Sequence, residues 1–207
     1  MTSRPLLITD CDEVLLHMVA PFGGWLREAH QINFTPDGAH FNGSMRYRTT
    51  GEVVPDDAMW PLLDGFFETE MHRQTLIPHA RESLQALAQH ADIVVLTNLT
   101  DNFNAARADQ LKMLDIHHRV ITNQGGKGRP VRALVDEYRP SSTVFVDDLA
   151  HHHKSVAEHA PEVFRIHMVG EASLAPHVPA AEHAHVRIDH WSHAHNWIMD
   201  RFKGITL

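Results

Sequence analysis

The chain has 207 residues, with 43% hydrophobic and 21% charged side chains, enough apolar content for a sizeable core and too much for extensive disorder. A formal net charge of −8, with no basic run, argues against a surface for duplex nucleic acid. The single cysteine, Cys11, excludes an internal disulfide. The apolar stretch after Met1-Thr2-Ser3-Arg4-Pro5 is too short for a secretory signal or a membrane span, so cytoplasmic residence without a membrane partner is the expectation.

In chain order, Pro5-Leu6-Leu7-Ile8-Thr9 reads as a buried strand running into Asp10. The next sixty or so residues break the pattern. Residues 20–31 and 56–73 each predict a helix, the second opening at Pro55-Asp56-Asp57 and carrying Met59, Trp60, Leu62, Leu63, Phe66 and Phe67. Between them, residues 32–54 hold the turn signals Pro36-Asp37-Gly38 and Asn42-Gly43 and room for a small hairpin. So long a connection implies an insertion, placing a helical subdomain at 17–76 and an α/β core at 1–16 and 77–207.

From residue 79 onwards strands and helices alternate. Helices are expected at 79–90, 102–114 and 130–138, and strands at 92–97, 118–122, 143–147 and 163–167, each short and rich in β-branched residues. Pro176 and Pro179 mark a loop, followed by a short strand at 185–188 and a terminal helix near 191–202. This order predicts a Rossmann-like, doubly wound parallel sheet with helices on both faces. Its ligands would sit beyond the carboxyl ends of the strands.

The chemistry-bearing residues fall at those ends. Asp10 and Asp12 flank Cys11 at the end of the first strand. One carboxylate there can attack phosphorus while the other moves protons, although the same pair also suits a turn. Thr97-Asn98 ends the 92–97 strand, where a hydroxyl and a backbone N–H can hold phosphoryl oxygens or cap a helix. Lys127 lies in the glycine-rich run Gly125-Gly126-Lys127-Gly128-Arg129-Pro130, able to offset negative charge or to sit solvated in a loop. Asp147-Asp148 ends the 143–147 strand as a second acidic pair, suited to a hard cation such as Mg2+, with Asp148 equally able to cap the next helix.

Taken together and in this order, the four elements resemble the motifs of the haloacid dehalogenase superfamily. The resemblance implies a Mg2+-dependent phosphohydrolase acting on a small phosphorylated substrate through an aspartyl-phosphate. It assigns Asp10 as nucleophile and metal ligand, and Asp12 as general acid/base whose backbone carbonyl also faces the metal. It assigns Thr97, Asn98 and Lys127 to phosphate, and Asp147 and Asp148 to the metal. The insertion between the first and second motifs is similar to a C1-type cap. Asp10 to Phe34, with Phe66-Phe67-Glu68-Thr69-Glu70 through Ile77-Pro78-His79-Ala80-Arg81-Glu82, resembles the 5'(3')-deoxyribonucleotidase branch and so implies a nucleotide.

Two features depart from the pattern. Glu13 stands where the family commonly has glycine, which places a carboxylate near the site, facing solvent, the hinge of the insertion or the phosphate. The chain also holds 19 histidines, among them His151-His152-His153 and the set His183, His185, His190, His193 and His195. Without Cys-x-x-Cys or His-Glu-x-x-His spacing these predict solvated surface residues rather than a zinc or nickel site. The rival to an enzyme is a catalytically weak protein of this fold that binds a phosphometabolite or metal, a reading for which Glu13 is the main support.

Overall fold

A computed structural model describes residues 3–36 and 43–205. Strand β1 (Leu6–Thr9) lies at the middle of a six-stranded sheet of order β5-β4-β1-β6-β7-β8. The others are β4 (Asp92–Thr97), β5 (Arg119–Thr122), β6 (Thr143–Asp147), β7 (Phe164–His167) and β8 (Val186–Arg187). Every pairing is parallel, with Leu6 to Thr9 in register with Asp92 to Val95 on one side and Thr143 to Val146 on the other.

Parallel strands buried on both faces need continuous apolar sequence, and β1, β4 and β6 supply it. Successive side chains then serve opposite faces. Leu7, Val95, Val144, Val146 and Ile166 pack on α3 (Ala80–Ala88), α4 (Asn104–Met113) and α7 (Trp191–Phe202). Leu6, Ile8, Val94, Leu96 and Phe145 pack on α5 (Gly128–Tyr138) and α6 (Ala150–His159). The sheet is therefore covered on both sides, as expected of a doubly wound α/β fold.

From β1 the chain moves outward through β4 and β5, then returns to the other side of β1 for β6 to β8. That reversal opens a crevice at the carboxyl end of β1, between β4 and β6. Asp10, Thr97 and Asp147 stand at these three strand ends.

The segment after β1 contributes α1 (Val19–Ala29), the antiparallel pair β2 (Ile32–Phe34) and β3 (Met45–Tyr47), and α2 (Met59–Thr69). The hairpin expected within 32–54 is thus present, while residues 37–42, which carry most of its two expected turns, lie outside the described residues. Phe22, Trp25, Leu26, Ile32, Met45, Phe66 and Phe67 form a second hydrophobic cluster, which reaches Leu99, Phe103, Val169 and Leu174 of the sheet-bearing part. Trp60, by contrast, is 66% exposed. The chain leaves at His17, whose N–H donates to the Thr75 carbonyl, and returns at Ile77, whose N–H donates to Leu15, so exit and return run side by side.

The helix expected over 56–73 is broken. Short 3-10 turns at Asp56–Ala58 and Met71–Arg73 flank α2, and the backbone leaves helical geometry at Glu70. Tertiary contacts override local propensity there, because Met71 is buried and its carbonyl accepts from the Gln110 amide.

Helices α5 and α6 approach closely at Gly128, where a Cβ would lie 2.0 Å from the Ser155 carbonyl oxygen. Only glycine permits that contact, and it seats the preceding Lys127 with its side chain fully buried. Gly128→Ala should therefore destabilise the fold by about 3 kcal/mol, seen as a lower urea midpoint with an unchanged m-value.

Candidate functional site

The Lys127 ammonium sits between two buried carboxylates, 2.8 Å from Asp10 Oδ1 and 2.7 Å from Asp147 Oδ2. Asp10 Oδ1 also accepts the Cys11 N–H at 2.7 Å, and Asp147 Oδ1 accepts the Leu149 N–H at 2.9 Å. Asp148 completes a group in which Asp10, Asp147 and Asp148 each present an oxygen within 4.8 Å of the others. Three strand-end carboxylates expected from sequence to converge on one point are thus together.

The electrostatics follow from burial. Loss of solvation pushes Asp10 up to about 7 against the pull of Lys127, with Asp147 adding to the rise. Burial would raise Asp147 too, but Lys127 overcomes it and holds this carboxyl below its ordinary range. Burial, reinforced by Asp147 and Asp10, drives Asp148 well above its usual value. Lys127 loses solvation but is held cationic by the same two carboxylates, which raise it. One ammonium among three carboxylates leaves room for two more positive charges, and an all-oxygen donor set fits a hard divalent cation such as Mg2+ better than zinc or nickel. Among the described residues, no histidine belongs to this group.

Thr97, the last residue of β4, is fully buried and its hydroxyl has no hydrogen-bond partner among the described residues. It caps no helix, since the next one, a 3-10 turn at Asp101–Phe103, begins after Thr100. A lone buried hydroxyl beside the crevice suits an acceptor brought by a ligand. Asn98 is exposed. Its side chain donates to the Gly125 carbonyl and accepts from Asn123, which ties the end of β4 to the Lys127 loop. Asp148 does not cap α6, whose N-cap position is Leu149 and carries no side-chain cap.

Asp12 lies apart from the three-carboxylate group. Its Oδ1 accepts from Gln74 Nε2 at 2.7 Å, and Arg107 Nη2 spans Oδ1 and Oδ2 at 2.9 and 3.1 Å. Arg107 is fully buried on α4. Nothing in the sequence singled it out, because a lone arginine in a polar helix reads as a surface residue.

Glu13 does not face solvent. It is 2% exposed, adopts φ +60°, and its Oε1 accepts the N–H groups of Met18 and Val19 at 2.8 and 2.6 Å. These are orphan donors at the start of α1, so Glu13 reaches across the hinge to hold that helix end. Its own carbonyl accepts from Gly170, where a Cβ would come within 2.8 Å of that oxygen.

Two histidines of the 151–153 run also correct the sequence expectation of surface exposure. His151 is exposed, whereas His152 and His153 are fully buried because α6 turns them toward the sheet. The His153 Nε2–H donates to the Asp147 carbonyl at 3.0 Å. His167, buried on β7, accepts the Ala181 N–H at Nδ1, which places its proton on Nε2, directed at the Asp148 carbonyl 2.8 Å away. Burial lowers His152 to about 3 and His153 to about 4, so both are neutral near pH 7. His183, His185, His190 and His193 are exposed.

No family model matches the chain. A ribulose-1,5-bisphosphate 5-phosphatase of Halopiger xanaduensis is 30% identical over 107 residues, which are 48% of this chain and 44% of that protein. The match thus spans less than half of either. Among solved structures, a haloacid dehalogenase-like family hydrolase of Streptococcus pneumoniae superposes with a TM-score of 0.64 at 13% identity, covering 96% of this chain and all of the other. A HAD-hydrolase of Bacillus subtilis bound to magnesium gives 0.64 at 13% identity, over 96% and 99% of the two chains. A haloacid dehalogenase-like hydrolase of Xanthomonas campestris gives 0.60 at 13% identity, over 99% of each. The chain therefore has the haloacid dehalogenase-like fold.

Glu13 offers a test of the hinge electrostatics. Burial raises its carboxyl from 4.5 to about 7, outweighing the Met18 and Val19 amides, so the folded state binds the proton more tightly than the unfolded chain. Stability from this group is full below about pH 4.5 and is lost as pH rises through about 7. Glu13→Gln keeps an acceptor for the two amides without the charge. It should gain about 3 kcal/mol over wild type between pH 5 and pH 8, measured as the difference in urea unfolding free energies.

Proposed function

We propose that this chain is a Mg2+-dependent phosphomonoesterase that forms an aspartyl-phosphate on Asp10. The single observation that carries the reading is the convergence of Asp10, Asp147 and Asp148 around one point, with Lys127 bridging two of them.

In this reading the carboxylates of Asp10, Asp147 and Asp148 would hold Mg2+, with the Asp12 carbonyl as a further donor. Bound there, the ion would supply Lewis-acid neutralisation of phosphate charge. Thr97, through its lone hydroxyl, and Asn98 bind phosphoryl oxygens, and Lys127 offsets their charge as well as that of Asp10. Asp10 attacks phosphorus in line with the departing oxygen, and Asp12 gives that oxygen a proton. Water then attacks the aspartyl-phosphate while Asp12 takes its proton, which frees phosphate and restores Asp10.

Residues 17–76 act as a cap over the strand ends, and 1–16 with 77–207 as the catalytic core. The side-by-side exit and return of the insertion support this division. The substrate is a small phosphorylated metabolite, taken up in the cytoplasm. The weak-binder alternative loses its main support, since the Glu13 carboxylate is engaged with the start of α1.

Turnover of p-nitrophenyl phosphate should require Mg2+, and Asp10→Asn, shown to be folded by circular dichroism, should reduce it by about a thousandfold or more. Metal-independent turnover, or activity retained in Asp10→Asn, would falsify the mechanism. A panel of phosphate esters including mononucleotides and ribulose-1,5-bisphosphate then assigns the substrate, with preference for a nucleotide favouring the deoxyribonucleotidase-like branch.

A further inference from the structure

We infer that Arg107 is the positioning residue that aims Asp12 at the leaving-group oxygen, an inference that rests on the phosphohydrolase reading above. With its side chain fully buried, Arg107 cannot touch a substrate and can act only through its neighbours.

Those neighbours are specific. Arg107 Nη2 holds both oxygens of Asp12, while Nη1 donates to Gln74 Oε1 at 3.1 Å, Gln110 Oε1 at 3.0 Å and Cys11 Sγ at 3.4 Å. Gln74 in turn donates to Asp12 Oδ1, so the carboxylate is gripped from two directions. The Asp12 side chain remains 17% exposed, the only member of this pair that solvent or a ligand can reach.

The same hub is fastened to the insertion. Gln74 lies on the return hinge and also donates to the His17 carbonyl on the exit hinge. Gln110 donates to Met71, and the Phe67 ring of α2 faces the guanidinium at 5.5 Å. Three polar ligands and an aromatic face fix the guanidinium in a single place, and a fixed guanidinium fixes the carboxylate that it spans.

The chemical consequence is selective. As the Asp10–phosphorus bond forms and the bond to the leaving oxygen breaks, the electron pair goes to that oxygen, which takes the Asp12 proton. An alkoxide needs this proton, whereas p-nitrophenolate departs without it. In the second step water attacks phosphorus, Asp12 takes the water's proton, and the electron pair of the Asp10–phosphorus bond returns to the carboxylate. Misaiming Asp12 therefore harms alkyl ester cleavage and hydrolysis of the intermediate, and spares nitrophenol release.

The experiment compares wild type, Arg107→Met, Arg107→Lys and Asp10→Asn on p-nitrophenyl phosphate and on the best alkyl phosphate of the substrate panel. For Arg107→Met, kcat/KM on the alkyl ester should fall about 100-fold and that on p-nitrophenyl phosphate about threefold or less. A burst of one equivalent of nitrophenol should precede slow steady-state turnover, marking accumulated aspartyl-phosphate. Arg107→Lys should restore part of the alkyl ester rate. If Arg107→Met does not fold, Gln74→Leu, which keeps the cation, should show the same selectivity at about tenfold. Equal losses on both esters with no burst, or a wild type that cleaves no alkyl phosphate, would overturn the role of Arg107. Wild-type turnover that survives in Asp10→Asn would instead remove the phosphohydrolase reading and this inference with it.

Discussion

A buried ammonium ion bridges the ends of two neighbouring strands, and the rest of the site is arranged around it. Lys127 contacts Asp10 after β1 and Asp147 at the end of β6, all three nearly without solvent. Charges so placed are tolerated only in pairs, and removing one partner of such a pair costs about 3–5 kcal/mol. The ammonium reaches this position because Gly128 lets α5 lie directly against α6, and the closeness of those helices is what drives the preceding residue inward. Backbone packing and site electrostatics are thus one constraint, with the glycine as necessary as the lysine.

The second organising feature is the Asp12-Glu13 dipeptide. Asp12 is joined through Gln74 to the return hinge of the insertion, and Glu13 is bonded to the amides at the start of α1 on the exit hinge. Adjacent carboxylates thereby fasten both hinges to the turn that follows the proposed nucleophile. The haloacid dehalogenase pattern that the sequence resembles commonly has glycine at the second position. Here a side chain accepts the left-handed backbone, and its carboxylate satisfies helix donors that water or another cap would otherwise have to meet.

Behind the acidic pair, two neutral imidazoles serve the backbone. His153 and His167 donate to the successive carbonyls of Asp147 and Asp148, which fixes the direction in which the two side chains leave the strand. Imidazole suits this place because, buried and uncharged, it provides one donor without adding a second cation beside Lys127.

The sheet was legible in the sequence because parallel strands buried on both faces must be short apolar runs, and β1, β4 and β6 are such runs ending in Asp10, Thr97 and Asp147. The convergence of Asp10, Asp147 and Asp148 was legible for the same reason, since they stand where those runs stop and the topology brings strand ends together. Local pattern also predicted α1 and α7, and turn residues left room for the β2–β3 hairpin, none of which needs knowledge of distant partners. What the sequence could not decide were the contacts between residues far apart in the chain. Arg107 meets Asp12 across 95 positions, Gln74 meets it across 62, and the break at Glu70 depends on Gln110 reaching back to Met71. The burial of His152 and His153 depended on which face of α6 met the sheet. Periodicity reports which residues share a face; only the folded chain determines what that face touches, and so which polar groups must find their partners there.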